Sequence, residues 1–477
     1  MGYVRGEAPG QTSMFPPTLD ELVPVDHPVR VIEAYVGSLN LVELEFERAR
    51  PEATGRPGYD PADLLKLYVY GYLNRIRSSR RLERECQRNV ELMWLLGRLA
   101  PDFKTIADFR RVNGAAFVRV CRAFVQFCRE AQLIGGELVA IDGSKFQAAS
   151  ARRRVVSQKS LAQEGRKLDA RIAEYLKSLD ESDRQEAVEP VDRQAVRAAL
   201  AKLRERKADC ESAKAVLEEL GEKQHVVGEH DARLMKHGQG QAPAYNVQSA
   251  VDAKHGLVVH HEVSNVGGDT AQLEPVAKAA QEALGGDPLK VVADGGYSNG
   301  TQFAACEQSA ITPYVPPRRT FSGPQERELY SLEKFQYDKQ SDRYRCPAGK
   351  VLMLQTVNNA QRMKIYAASP ADCGACPQKP KCTRSRRRML SRHFDEEAFE
   401  RMNQRLASAP DMMKQRRCLA EHPFAQIKCG VMTNGRLLLR GLSGARAEMA
   451  LAVLVRNLTR VMTILGNRAL IERLALA

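Results

Sequence analysis

Long apolar runs are absent from this sequence. No run approaches the roughly 18 to 20 residues that cross a bilayer, and Met1 to Gly10 lack the apolar core of a signal peptide. We therefore expect a cytoplasmic protein without a membrane partner. The sequence also contains no internal repeat and no long low-complexity segment, so a repeat array is excluded.

The composition favours a protein of several folding units that contacts a polyanion. The chain has 477 residues, of which 43% are hydrophobic, and this indicates a globular protein with two or three cores. Its net charge of +14 arises from Arg and Lys spread along the chain. Since such charge attracts phosphates, nucleic acid is the first partner to consider.

Hydrophobic periodicity divides the chain into two parts. Residues 1–134 have helical spacing, for example from Pro61 onward with Asp60 as N-cap, and predict an all-α N-terminal domain with a helix-turn-helix-like DNA-binding module. Residues 135–477 predict an α/β domain in the order strand, strand, strand, helix, strand, helix, strand, followed by a helical tail. Two insertions interrupt it: a helical hairpin at 155–225 and a polar, irregular, Cys-rich segment at 318–392.

Two aspartates stand in matching contexts. Asp142 and Asp294 each follow an apolar strand directly and precede a glycine. An Asp-Gly pair after a strand is commonly a turn, but two of them in this strand order predict a site for a hard cation. Magnesium takes carboxylate oxygens and keeps waters for exchange with phosphate, and two such ions suit phosphoryl transfer.

A third ligand should come from a later helix. Our candidate is Glu421 in Arg416-Arg-Cys-Leu-Ala-Glu-His-Pro-Phe-Ala-Gln-Ile-Lys, and Lys428 lies two helical turns further, where it can reach a DNA phosphate. The rival is Glu448, which we interpret instead as a partner of an arginine that orders the last helices. Asp252 and Asp269 are weaker candidates for a supporting role, and we interpret them as turn and helix-cap residues.

The segment around Glu421 resembles the Glu-His-Pro-Phe-Gly-x-Ile-Lys signature of DDE transposases in the 1182 family of bacterial insertion sequences, with Ala425 in place of the glycine. Further resemblances are Tyr59-Asp-Pro-Ala-Asp-Leu-Leu through Phe109-Arg-Arg, Tyr245-Asn-Val-Gln-Ser-Ala-Val-Asp, and Arg440-Gly-Leu with Asn457-Leu. The likeness covers nearly the whole chain. It implies an RNase H-like catalytic domain whose triad is Asp142, Asp294 and Glu421, which would bind Mg²⁺ or Mn²⁺, two ions in all.

Four of the cysteines cluster in the second insertion: Cys346, Cys373, Cys376 and Cys382. Four thiolates can form a closed structural zinc site. The spacing is not that of a standard finger, so unligated thiols are the equal alternative. A closed site has no open coordination position, so we assign no catalytic role to these residues.

Clusters of basic residues also favour DNA as a partner. They include Arg75, Arg77, Arg80, Arg81, Arg152 and Arg153. Such side chains contact phosphates and give salt-sensitive affinity with little sequence information.

Together these features predict a transposase that acts in the bacterial cytoplasm, at the nucleoid. It would bind the terminal inverted repeats of an insertion sequence as a homodimer or larger assembly, cleave strands with Mg²⁺ and transfer them to target DNA. Two alternatives stay open: a catalytically silent, transposase-derived DNA-binding repressor, and an RNase H-like recombination nuclease.

Overall fold

The computed structural model describes residues 14, 16–51, 54, 57–184, 193–221, 224–237, 240–317 and 329–476. Parts of both predicted insertions therefore lie outside the described residues, namely 185–192 and 222–223 of the first and 318–328 of the second. The four clustered cysteines of the second insertion lie within the described ranges.

The N-terminal part is helical, as predicted. Its helices begin at polar caps; the Asp60 carboxylate, for instance, accepts the backbone N–H of Ala62. The helices are α1 (Leu19–Leu22), α2 (Pro28–Gly37), α3 (Pro61–Leu73), α4 (Ser79–Arg88), α5 (Val90–Leu95), α6 (Phe103–Val112) and α7 (Gly114–Glu130).

A helical hairpin follows the first strand of the α/β part. Strand β1 (Leu138–Gln147) leads to the short strand β2 (Val155–Ser157), helices α8 (Gln158–Arg184) and α9 (Arg193–Leu220), and strand β3 (Gln224–Val226). β2 and β3 pair antiparallel, so they close the base of the hairpin.

The central sheet is mixed, with β1 between an antiparallel and a parallel neighbour. Its further elements are β4 (Arg233–His237), β5 (Gly240–Asp252), β6 (Val258–Ser264), α10 (Leu273–Ala283), β7 (Leu289–Val292), α11 (Gly300–Gln308) and β8 (Ile311–Tyr314). β5 pairs antiparallel with β1 and with β6, whereas β7 pairs parallel with β1 and β8 parallel with β7. The predicted order of strands and helices is thus confirmed, with β4 as an additional partner of β5.

The Cys-containing insertion is more regular than predicted. Five strands form an antiparallel sheet of their own: β9 (Gln336–Asp338), β10 (Arg343–Arg345), β11 (Val351–Asn358), β12 (Met363–Ala368) and β13 (Met389–His393), with helices α12 (Pro370–Gly374) and α13 (Lys379–Cys382) before the last strand. The expectation of an irregular segment was wrong. Most of β11 is exposed and carries no buried alternation that would mark a strand in the sequence.

The C-terminal helices cover the sheet and join the two parts of the chain. They are α14 (Glu396–Ser408), α15 (Met412–Ala425), which continues as a π-helical segment Gln426–Val431, α16 (Gly441–Leu465) and α17 (Asn467–Leu474). α16 packs against α3 and α7 as well as β6. One hydrophobic core therefore extends from the N-terminal helices into the sheet.

No single described helix is long and apolar enough to cross a membrane, although α16 and α17 pass that test as a pair bent by 110°.

Candidate active site

Asp142 lies in β1, and Asp294 lies two residues beyond the end of the neighbouring parallel strand β7. In the register of β1 with β7, Ala140 is paired with Val292, and each aspartate follows its paired residue by two positions. The two backbone positions therefore adjoin each other at the carboxyl end of β7. The Asp294 carboxylate also accepts the backbone N–H of Gly296 at 2.8 Å and caps the turn after β7.

An arginine faces both carboxylates. Helix α15 crosses this face of the sheet, and the Nη2 atom of Arg416 is 3.5 Å from Oδ1 of Asp142 and 3.7 Å from Oδ2 of Asp294. Sequence reasoning did not single out Arg416, since nothing near it in the sequence indicates a partner 274 residues away.

Burial penalises the charge on Asp142. Its side chain is 19% exposed, against 46% for Asp294. Burial raises the pKa of Asp142 to about 6, and the neighbouring negative charges of Asp294 and Asp269 also raise it, whereas Arg416 and the backbone N–H of Gly143 lower it. A cation at this position would relieve that penalty.

Asp269 belongs to the same site. Its carboxylate accepts hydrogen bonds from Lys145 (3.1 Å), Asn246 (2.7 Å) and Gln248 (2.8 Å). Its interpretation as a helix cap was wrong, because α10 begins at Leu273 and its N-cap residue is Gln272. One sequence feature could have indicated a polar partner such as Asp269. Asn246 and Gln248 lie on one face of a strand that is otherwise rich in small and apolar residues.

Gly143 provides the space for this network. A Cβ atom at this position would stand 2.5 Å from Nε2 of Gln248 and 2.8 Å from Oδ1 of Asp269. The glycine after Asp142 therefore allows the side chains of Gln248 and Asp269 to approach β1 closely.

Glu421 does not join the aspartates. It is exposed on α15, whereas the buried face of that helix carries Ala420, Pro423 and Phe424, and Ala420 packs against Ala140 and Val292. Within the described ranges, no group of three or more His, Cys, Asp or Glu side chains is arranged to hold a metal ion. The structure thus brings Asp142 and Asp294 together but not Glu421, whose side chain lies outside the buried face of α15.

The other two carboxylates have contacts elsewhere. Glu448 is fully buried in α16 and lies 3.5 Å from the guanidinium of Arg77. Asp252 accepts the backbone N–H groups of Gly135, Gly136 and Lys254, as a turn residue does.

A basic cleft of about 640 Å³ opens beside Asp142. Lys428 donates to Oγ of Ser144 at 2.7 Å, and its ammonium lies 4.8 Å from the centre of the Phe146 ring. Burial lowers the pKa of Lys428. The cleft suits an anion, since it is lined by Gly143, Ser144, Lys145, Lys236, Lys428, Cys429, Thr433 and Asn434.

The predicted DNA-binding arginines differ in their surroundings. Arg77 donates to the carbonyl oxygens of Met432 and Arg436, so its guanidinium is occupied within the protein. The others are exposed: Arg75, Arg80, Arg81, Arg152 and Arg153.

The four clustered cysteines line one cavity of about 30 Å³ in the insertion. None is in a disulfide. The backbone N–H of Lys350 donates to Sγ of Cys346 at 3.3 Å, and that of Arg388 donates to Sγ of Cys373 at 3.4 Å. The adjoining core is small and consists of Phe335, Tyr344, Leu352, Tyr366, Ala368 and Leu390.

Two segments of the chain match known protein families. Residues 17–112 match the family described as Transposase domain (DUF772). Residues 345–462, which include α15, match the family described as Transposase DDE domain. No curated protein matches the sequence.

Among solved structures, similarity was found to a chain from the cryo-EM structure of a piggyBac transposase synaptic complex with hairpin DNA. The two chains share 10% identity with a TM-score of 0.32, over 94% of this chain and 80% of that one.

Proposed function

We propose that this chain, which belongs to the DDE transposases of the insertion-sequence type, binds the terminal inverted repeats of its element, cleaves a DNA strand there and transfers the new 3′ end to target DNA. The observation that supports the proposal is the pair Asp142, in β1, and Asp294, just after the neighbouring parallel strand β7, which face one guanidinium. Such a pair suits a divalent ion that takes part in phosphoryl transfer.

Asp142 and Asp294 fit a divalent ion by the chemistry of their donors and by their placement. When bound, Mg²⁺ or Mn²⁺ would activate the attacking oxygen and stabilise the leaving oxygen. We propose Glu421, whose side chain is exposed on α15, as the third ligand. Two ions would suit this ligand set.

Residues of this chain also supply the DNA contacts. We propose that Lys145, Lys236 and Lys428 hold backbone phosphates in the cleft beside Asp142. The exposed arginines of α4 and of the segment after β1 would extend this surface, which fits the net charge of +14. Two chains would be needed to hold both element ends at once.

A cleavage assay tests the proposal. Purified protein is incubated with a duplex that carries the terminal repeat, and with a scrambled duplex, in the presence of Mg²⁺, Ca²⁺ or EDTA. We expect cuts at the repeat boundary with Mg²⁺ only, leaving 3′ hydroxyl ends that join a second duplex. Binding to the repeat without cleavage would favour the repressor, whereas cleavage of branched DNA regardless of end sequence would favour the recombination nuclease.

We further propose that Cys346, Cys373, Cys376 and Cys382 bind structural zinc. The donor set fits: the four thiols surround one cavity, and two of the sulfur atoms already accept backbone N–H groups. The sulfur atoms are not yet grouped as ligands, so binding would have to draw them together across the cavity. A core of this size gains stability from such a link.

Elemental analysis of the purified chain tests the zinc site. We expect about one zinc per chain, in line with a closed four-thiolate site, and loss of that zinc in Cys373→Ser together with faster proteolysis within residues 329–393. Cys210→Ser, on α9, is the matched control and should keep its zinc. Zinc-free wild-type protein, or full zinc in Cys373→Ser, would contradict the proposal.

A further inference from the structure

Arg416 stands where a cation between the two aspartates would stand. One nitrogen of its guanidinium faces Oδ1 of Asp142 and Oδ2 of Asp294. The side chain is 16% exposed, so the charge is largely enclosed between helix α15 and the sheet. The guanidinium thus offsets part of the negative charge of the pair.

The contact is a loose one. Distances of 3.5 and 3.7 Å exceed the roughly 2.7 to 2.9 Å of a good charge-assisted hydrogen bond. The Nε atom of Arg416 is buried and has no hydrogen-bond partner. Displacing an arginine held in this way costs little free energy, because few of its N–H donors have hydrogen-bond partners in the observed position.

Arginine and a divalent ion cannot share this position. Magnesium binds carboxylate oxygens at about 2.0 to 2.1 Å, and the guanidinium would then face a double positive charge across the same two carboxylates. Resting on the proposed function, we propose that Arg416 occupies the metal position in the DNA-free chain and that metal loading moves it onto a backbone phosphate of the bound DNA.

The proposal couples metal binding to DNA binding. A guanidinium released from the carboxylates loses its negative partners and needs another anion, and its planar donors suit a phosphate. Bound DNA therefore stabilises the displaced arginine and raises the affinity for metal, and bound metal raises the affinity for DNA by the same factor. Metal binding and DNA binding would then reinforce each other at the aspartates.

Calorimetric titration with Mn²⁺ tests this coupling without relying on catalysis. The DNA is a pre-cut terminal-repeat duplex with a 3′-dideoxy end, which cannot be joined. Without DNA, Arg416→Gln should bind Mn²⁺ about tenfold or more tighter than wild type, in the usual range of coupling between sites. Adding DNA should raise the Mn²⁺ affinity of wild type but change that of Arg416→Gln by less than about twofold.

Two further variants make the result specific. Lys414→Gln removes an exposed charge from the same helix, where Lys414 pairs with Asp411, and should behave as wild type. Arg416→Lys keeps the positive charge and should keep the weak DNA-free affinity, which separates charge from any change in folding. Equal or weaker Mn²⁺ binding by Arg416→Gln would overturn the inference.

Failure of the inference can be told from failure of the proposed function. If Mn²⁺ binding is lost in Asp142→Asn but does not respond to Arg416, only the role of the arginine is wrong. If wild type binds no Mn²⁺ with or without DNA, the metal-dependent function itself is wrong.

Discussion

Asp142→Asn is expected to lower the rate of strand cleavage at least about a thousandfold while leaving DNA binding intact. A metal ion contributes several kcal/mol of transition-state stabilisation, and about 4 kcal/mol corresponds to a factor of a thousand. Asparagine keeps the shape of the side chain but offers one oxygen without charge. The measurement is single-turnover cleavage of a terminal-repeat duplex with Mg²⁺, beside a gel-shift titration with the same DNA.

The loss should not come from unfolding. Burial sets the folded-state pKa of Asp142 at about 6, above the ordinary 3.8, so the ionised carboxylate disfavours folding. The difference between these values corresponds to roughly 3 kcal/mol of folding free energy, which is lost as pH rises from about 4 to 6 and stays lost at pH 7. Asp142→Asn should therefore be at least as stable as wild type at pH 7 and should lack this pH dependence.

Asp411→Asn is the matched control for both measurements. Asp411 is 75% exposed beside the same helix and pairs with Lys414. It should cleave DNA as wild type does and follow the wild-type stability profile. Cleavage by Asp142→Asn within a few-fold of the wild-type rate would remove the proposed role of this carboxylate.

Glu448→Ala is expected to destabilise the fold by about 3 to 5 kcal/mol, the usual cost of removing one member of a buried ion pair. The Glu448 carboxylate accepts the backbone N–H groups of Leu438 and Leu439 and the hydroxyl of Tyr72, and faces Arg77. Burial raises the pKa of Glu448. The substitution would leave an arginine and several donors without their acceptor.

This carboxylate joins the two parts of the chain. Tyr72 and Arg77 come from the N-terminal region, whereas Leu438 and Leu439 lead into α16 of the C-terminal region. Denaturant unfolding followed by circular dichroism measures the effect. Glu472→Ala removes an exposed partner of Arg468 and should stay within about 0.5 kcal/mol of wild type. A loss below about 1 kcal/mol in Glu448→Ala would contradict the assigned linking role.

Local pattern was sufficient to predict much of the fold. The alternation in Ala244 to Asp252, the apolar runs before Asp142 and Asp294, and the cap at Asp60 each depend on neighbours within a few residues. Hence the order of strands and helices in the central sheet and the helical character of the N-terminal part were predicted correctly. The sheet of the Cys-containing insertion was not, because its strands are short and β11 is mostly exposed.

The surroundings of the site could not be predicted from local pattern. Lys145 and Asp269 meet across 124 positions, and Arg416 and Asp142 across 274. Arg77 illustrates the same limit, since it belongs to a basic cluster in the sequence but contacts backbone carbonyls 355 and 359 positions away. No spacing rule within a helix or strand relates such residues.

By itself, the sequence determined the helices of the N-terminal part, the order of strands and helices in the central sheet and the two Asp-Gly positions, because backbone preferences and hydrophobic alternation act over short distances. Only the tertiary structure decided that Arg416 faces both aspartates, that Asp269 joins them, and that Glu421 stays exposed on α15. Those relations depend on how α15 and the β6 to α10 connection pack onto the sheet, and packing is set by the whole core rather than by any one segment.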